Sequence, residues 1–437
     1  MAVAALVASG CASYTERTRT GLRAFQRGQL EKAREFFSDP DNTGSPFLSG
    51  AEAGCVALTL GDWDLAVEHL QAAVAEVAEL EDRTLLTPDA AAEELTSWVL
   101  NDTSRAYLGE GFERVYLHGM LAMAYLARGD RNAVYVEKRR ANALLEQEEK
   151  LYEKSYAAGG LGHFVSALAY ELDGEPDQAY IDYRRMEEKG VGLQLAGRAL
   201  VRLATQLRYT DEVGTWVERY GEDLEHPENA ASVVVIAGVG LAPFKVQSSL
   251  TIPTGEGLWR MAVPGYSERP QPVGGVRLVL GANESVRTDV IEDVGHVAIE
   301  NLEDRLAWTA ARSAVRGFAK RELTDHLEEE HGLGGRLLGD IFTLVTEQAD
   351  LRCWTTLPDT WQAARLFVPP GIHGLKLEAV GGERVTLGTF ELEPGETMIV
   401  LARTVGTDLY AHAVGGRLVS APVGAPEGEA AAPPVSP

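Results

Sequence analysis

Cysteine is scarce, cations are outnumbered and long apolar runs are missing, and each absence narrows what this 437-residue chain can be. The three cysteines, Cys11, Cys55 and Cys353, are too few and too widely spaced for a disulfide framework or a zinc motif. Forty Lys and Arg face 65 Asp and Glu, and the net charge of −25 opposes attraction to phosphate backbones and anionic lipid surfaces. Nucleic acid is therefore not an expected partner. No apolar stretch approaches the roughly 18 residues that a bilayer-crossing helix needs. With 45% hydrophobic residues the chain can still bury at least two cores, since domains usually run to about 50–250 residues.

Local catalytic signatures are absent as well. There is no G-x-S-x-G, no S-x-x-K and no phosphate loop. The run VVVIAGVGLAP at Val233–Pro243 begins like a dinucleotide-binding strand and glycine turn. It departs at Pro243, which stands where a third small residue must open a helix, and FKVQSSLTIP after it alternates like a strand. His326 and His331 are five residues apart, not the four that align two ligands on one helix face. The chain is read as a non-enzyme with no cofactor and no metal. An envelope enzyme using carboxylates gathered from distant segments is the alternative.

What is present begins with MAVAALVASG directly before Cys11. Ala8-Ser9-Gly10-Cys11 resembles the lipobox of bacterial lipoprotein signal peptides, which makes Cys11 the expected lipid attachment. No Lys or Arg precedes the apolar run, whereas signal peptides normally have a basic start and about 15–30 residues. Ala12 follows the cysteine rather than Asp, which by resemblance to sorted lipoproteins implies the outer membrane of a Gram-negative cell. Residues 1–10 are thus read as a signal peptide and 11–20 as a tether.

Residues 21–228 carry a self-similar helical pattern. A glycine closes one helix and a small residue follows five positions on, as in Gly28/Ala33, Gly61/Ala66, Gly129/Val134 and Gly174/Ala179. The first three glycines lie close to one and two 34-residue periods apart, the tetratricopeptide spacing. His118, Leu121, Ala122 and Tyr125, echoed by His163, Ala167 and Tyr170, fit its packing positions. The inner face expected from this geometry, Tyr116, Met123, Leu126, Leu161, Phe164 and Leu168, is too apolar to stand open to water. Another segment of this chain, or a partner's helix, is expected to fill it.

From residue 229 the composition changes. Strand-length runs separated by Pro and Gly, and a helix expected over Asp289–Glu330, suggest an α+β domain to residue 419. The runs Ala363–Val368, Leu375–Val380, Arg384–Leu392 and Thr397–Thr404 suit a small antiparallel sheet. Arg305, Arg312, Arg316 and Lys320 make a basic stripe on the long helix, a candidate contact for an anion or an intrachain partner for acidic residues. Residues 420–437, rich in Pro and Ala, are expected to be disordered.

The fold class expected is α+β: an N-terminal, irregular tetratricopeptide-like helical array, then a smaller α+β domain with short antiparallel strands and a long helix. The segments NDTSRAYLGEGFERVYLHGMLAMAYLARGD, VVVIAGVGLAPFK, TDVIEDVGHVAIENLEDRL and LPDTWQAARLFVPPGIHGLKL together resemble an uncharacterised family of bacterial tetratricopeptide-like envelope lipoproteins. Some of its members are encoded near lipoproteins that activate penicillin-binding proteins. The resemblance implies a periplasm-facing outer-membrane lipoprotein that binds protein partners in envelope or cell-wall assembly.

Overall fold

The glycine spacing becomes helical hairpins in the computed structural model, which describes residues 14–85, 106–222, 229–254, 257–281, 284–307 and 349–421. The helices are α1 (Tyr14–Arg17), α2 (Arg19–Gln26), α3 (Leu30–Phe37), α4 (Pro40–Thr43), α5 (Pro46–Leu60), α6 (Trp63–Leu85), α7 (Gly111–Ala127), α8 (Arg131–Tyr152), α9 (Gly160–Leu172), α10 (Pro176–Glu188), α11 (Leu193–Leu207) and α12 (Thr210–Tyr220). Turn residues Gly28, Gly61, Gly129 and Gly174 have φ of 70°, 78°, 77° and 72°, a left-handed backbone that Cβ-bearing residues rarely adopt. Five positions after each, Ala33, Ala66, Val134 and Ala179 are fully buried where paired helices touch. Between α11 and α12 the left-handed position is held by Arg208 at φ 60°, so the glycine rule does not mark that hairpin.

The turns are fixed by short-range chemistry. Ser45 accepts the N–H of Leu48 at 3.2 Å and Asp130 that of Ala133 at 3.1 Å, each capping a helix start. Two consecutive hairpins repeat a buried pair across the same 19-residue separation. His118 Nδ1 lies 2.5 Å from Glu137, and His163 Nδ1 lies 2.8 Å from Asp182.

The strands are β1 (Ala231–Val239), β2 (Phe244–Thr254), β3 (Gly257–Ser267), β4 (Val276–Leu280), β5 (Glu284–Arg287), β6 (Asp289–Asp293), β7 (Thr360–Val368), β8 (Gly371–Ala379), β9 (Arg384–Leu392), β10 (Thr397–Val405), β11 (Asp408–Val414) and β12 (Arg417–Ser420). Helix α13 covers 294–307. One sheet has the order β11-β10-β1-β7-β6 and a second β12-β9-β8-β4-β5, while β2 and β3 form a separate hairpin. Strand β1 pairs parallel with β10 and antiparallel with β7. A single small antiparallel sheet was the expectation from spacing; the four runs named for it are instead divided between two five-stranded sheets. The reason is in β1, every residue of which is buried. Such a strand must be covered on both faces.

Alternation along β1 shows what covers it. Val234 and Ile236 join the helical core, together with Ile399 and Leu401 of β10. Val233, Val235 and Ala237 join Met398 and Val400 in a core against the second sheet. The molecule is thus three layers, helices on the first sheet on the second. Each fully buried Val, Leu or Ile contributes about 1.5–3 kcal/mol to holding them together.

Two further expectations are corrected. Of residues 11–20, read as tether, 14–17 form α1 and 19–20 begin α2, with Tyr14 buried and its hydroxyl donating to Glu52 at 3.0 Å. The helix expected from Asp289 begins at residue 294, since Asp289–Asp293 pairs with β7 as an edge strand.

Candidate functional site

The helices and the first sheet meet along a polar seam whose centre is Cys353–Thr356, the segment leading into β7. Glu52 is the one charged residue of α5 and has no solvent exposure. Its carboxylate accepts the N–H of Thr355 at 2.7 Å, the Thr355 hydroxyl at 2.7 Å, the N–H of Thr356 at 2.9 Å and the Tyr14 hydroxyl. From the opposite side Arg269 donates to the Thr355 carbonyl at 2.7 Å and Arg403 to the Thr356 carbonyl at 3.0 Å. The segment is gripped by an anion on its N–H side and cations on its carbonyl side. Burial raises the Glu52 pKa, opposed by the hydrogen bonds it accepts.

The start of α7 adds a second grip. Glu113 reaches back to the N–H of Glu110 at 3.0 Å, accepts the Tyr107 hydroxyl at 2.7 Å, and takes the N–H of Trp354 at 2.7 Å. Beside it, Glu110 pairs with both Lys245 of β2 and Arg305 of α13. The two carboxyls diverge. Burial would raise both, but the adjacent cations outweigh it at Glu110 and bring it down to about 2, whereas burial prevails at Glu113 and pushes it up to about 7.

The third grip runs the other way, from sheet to helix. Glu292 of β6 accepts the N–H groups of Gly159 at 3.2 Å and Leu161 at 3.1 Å, satisfying main-chain donors at the start of α9, and the Tyr116 hydroxyl at 3.1 Å. Burial pushes this carboxyl up to about 7 against those hydrogen bonds. The contact is close at the backbone level: a Cβ at Gly160 would lie 1.7 Å from the Ile291 carbonyl oxygen. Farther along, Glu171 of α9 pairs with Arg365 of β7 at 2.6 Å and Arg202 of α11 at 2.9 Å. Each carboxylate is occupied by donors from a neighbouring layer, so the arrangement fastens layers and titrates near neutrality at Glu113 and Glu292.

The residues expected on the inner face, Tyr116, Met123, Leu126, Leu161, Phe164 and Leu168, are all buried in one core with Ile236, Ile291 and Leu401 of the chain's own first sheet. Arg305 does not face an external anion: its side chain is turned into the seam, where Glu110 neutralises it. Arg312, Arg316 and Lys320 lie outside the described residues, as do Cys11, the signal-peptide segment, His326, His331 and the tail from residue 422. Val233–Val239 is a strand, and after Gly240 the chain enters β2 rather than a helix. Among the described residues no helix is long and apolar enough to cross a membrane.

Sequence reasoning passed over Glu52, Glu110, Glu113, Glu292 and Lys245. A usable signal was present in α5, where a lone carboxylate interrupts a helix that is otherwise uncharged and nearly all buried.

Fold and seam together define a helical-hairpin repeat protein with its own β-sandwich seated on the array. No family model matches the chain, and no curated protein matches it. Among solved structures it is similar to the crystal structure of MamA protein, at 16% identity over 47% of this chain and 89% of that one, with a TM-score of 0.32. It is also similar to a thermophilic TPR protein of Thermus thermophilus, at 18% identity over 48% and 90% of the two chains, with a TM-score of 0.25.

Proposed function

We propose that this protein is a lipid-anchored periplasmic scaffold, held at the outer membrane through Cys11, that gathers protein partners for envelope or cell-wall assembly. One observation carries the scaffold reading. The inner face of the helical array is taken by the chain's own sheet, while apolar residues stand outward on its last hairpins: Ile181 is 50% exposed, Leu193 40% and Tyr209 39%. Tyr209 packs edge-on against Tyr180, next to Ile181, with ring centroids 5.4 Å apart. Large apolar residues left exposed on a rigid body suit a protein interface. The lipobox-like Ala8-Ser9-Gly10-Cys11 supports the anchor.

A photocrosslinking residue placed at 181 or 209 in living cells should give discrete protein adducts, and one at Arg384, exposed on β9 of the second sheet, should not. Absence of adducts from both positions would reject the scaffold surface. The anchor is tested separately with a palmitate analogue: wild type should be labelled and Cys11→Ser should not, and equal labelling of the two would reject it.

A further inference from the structure

The outer face of the second sheet is positively charged, in a chain whose net charge is −25. Strands β5, β4, β8 and β9 pair so that Val286, Leu278, Leu377 and Val385 form one cross-strand row, and all four pack into the core against the first sheet. Alternation turns the rows on either side of it to solvent. One is Arg287, Arg277, Glu378 and Arg384, and the other Ser285, Val279, Lys376 and Thr386; all are exposed except the half-buried Glu378 and Val279.

Four cations thus share this face with one carboxylate. Glu378 lies 3.9 Å from Arg277 and 3.3 Å from Arg384, so a single negative charge is divided between two guanidiniums. Arg287 stands directly opposite Arg277 and donates to the Gly274 carbonyl at 3.1 Å. Among the described residues no carboxylate pairs with Arg287 or Lys376. Like charges opposite one another weaken a strand pair, and exposed ion pairs add little, so the fold gains almost nothing from this arrangement. The other carboxylates nearby in sequence are placed elsewhere. Glu391 pairs with Arg417, Glu284 lies on the side of buried Leu280, and Glu383 accepts the N–H of Leu409 at 3.2 Å.

Strands about 4.8 Å apart spread the arginine row over about 14 Å. A flat row of that length fits a linear polyanion lying across the strands, and guanidiniums match carboxylates in shape as well as charge. Ser285 and Thr386 place hydroxyls beside the cations, where they can bond to sugar hydroxyls. Neither row has an aromatic ring on which a base could stack, nor a large exposed apolar anchor for a protein. A bilayer would meet the rest of the negative chain too, whereas a single thin polymer stays within the roughly 8–10 Å over which charge acts in physiological salt.

We propose that this face binds a linear acidic polysaccharide laid across β5, β4, β8 and β9, its carboxylates taken by Arg277, Arg287, Lys376 and Arg384. The site is independent of the outward surface on α10 and α11 and of the Cys11 anchor.

Hexagalacturonate, with a carboxylate on every sugar, titrated calorimetrically into the full chain provides the test, with Cys11→Ser in every sample to remove any lipid. Binding should be saturable at about 50 mM salt and weaken as salt rises. Lys376→Glu with Arg384→Glu should weaken it about tenfold, and Glu378→Gln, which removes the carboxylate of the face, should strengthen it about threefold. Arg184→Glu with Arg185→Glu reverses two exposed cations of α10, makes the same change in net charge, and should leave affinity unchanged. Far-UV spectra report the folding of each variant. Absence of saturable binding, equal losses in the two double variants, or unchanged affinity in a folded Glu378→Gln chain overturns the proposal. Binding of neutral maltohexaose, hexathymidylate or phosphatidylglycerol vesicles as tightly as hexagalacturonate overturns it as well.

Discussion

Replacing Glu52 with alanine should destabilise the fold by about 3 kcal/mol, and the figure follows from the donors it leaves behind. Two main-chain N–H groups, Thr355 and Thr356, and two hydroxyls, Tyr14 and Thr355, converge on this carboxylate. The hydroxyls can rotate towards other acceptors, but the N–H groups cannot. Each orphaned buried N–H costs about 1–3 kcal/mol, which gives roughly 2–6 kcal/mol for the pair. Part is returned because a buried carboxylate is itself costly to ionise, as its raised pKa records. Glu52→Gln retains one acceptor oxygen and should lose about half as much. Urea unfolding at pH 7, followed by tryptophan fluorescence and far-UV dichroism together, measures both losses. A Glu52→Ala chain within about 1 kcal/mol of wild type, in the range of an ordinary substitution, would refute the assignment of Glu52 as a fastener.

Three other outcomes follow from the same geometry. Gly160→Ala should cost more than about 3 kcal/mol in the same unfolding assay, since its Cβ would overlap the Ile291 carbonyl, whereas Gly174→Ala, with a left-handed φ but open space around it, should cost about 1 kcal/mol. Phe164→Ala should cost about 3–5 kcal/mol, because the ring is buried between helices and sheet; a loss under about 1 kcal/mol would mean that this face is open. Glu113 and Glu292 rise from 4.5 to about 7 on folding, so the folded chain holds protons that the unfolded chain releases, and stability should fall as pH rises from about 5 to 8. The ceiling is on the order of 3 kcal/mol for each group. Glu110, lowered to about 2, acts in the opposite sense, and its contribution is lost as pH falls below about 4.5. A flat profile between about pH 5 and 8 would reject the account of the two buried carboxyls.

Much of the helical half was legible because its signal is local. A glycine in a left-handed turn and a small residue five positions later are set by one hairpin, and Gly28, Gly61, Gly129 and Gly174 announce themselves without reference to the rest of the chain. Arg208 shows the limit, occupying the same backbone conformation without the residue that advertises it. The sheets were harder to read for a different reason. Individual strands such as Arg384–Leu392 carry their own alternation, but which strands pair depends on contacts across the whole chain, and β1 meets β10 more than 150 residues later. The seam was least legible. Glu113 and Glu292 look like ordinary surface carboxylates until folding brings main-chain N–H groups of distant segments against them. Conversely, Arg305 looked available in its helical stripe and was consumed by Glu110, a residue 195 positions away.

The helices and the first sheet form one body, with the array's inner face filled from within. Amide hydrogen exchange on the native full chain tests this most directly by comparing strand Ala231–Val239 with helix Gly111–Ala127. The account predicts that the slowest amides of the two segments share a single opening free energy and lose protection together in Glu52→Ala. Strand amides that exchange freely while the helix remains protected would contradict it.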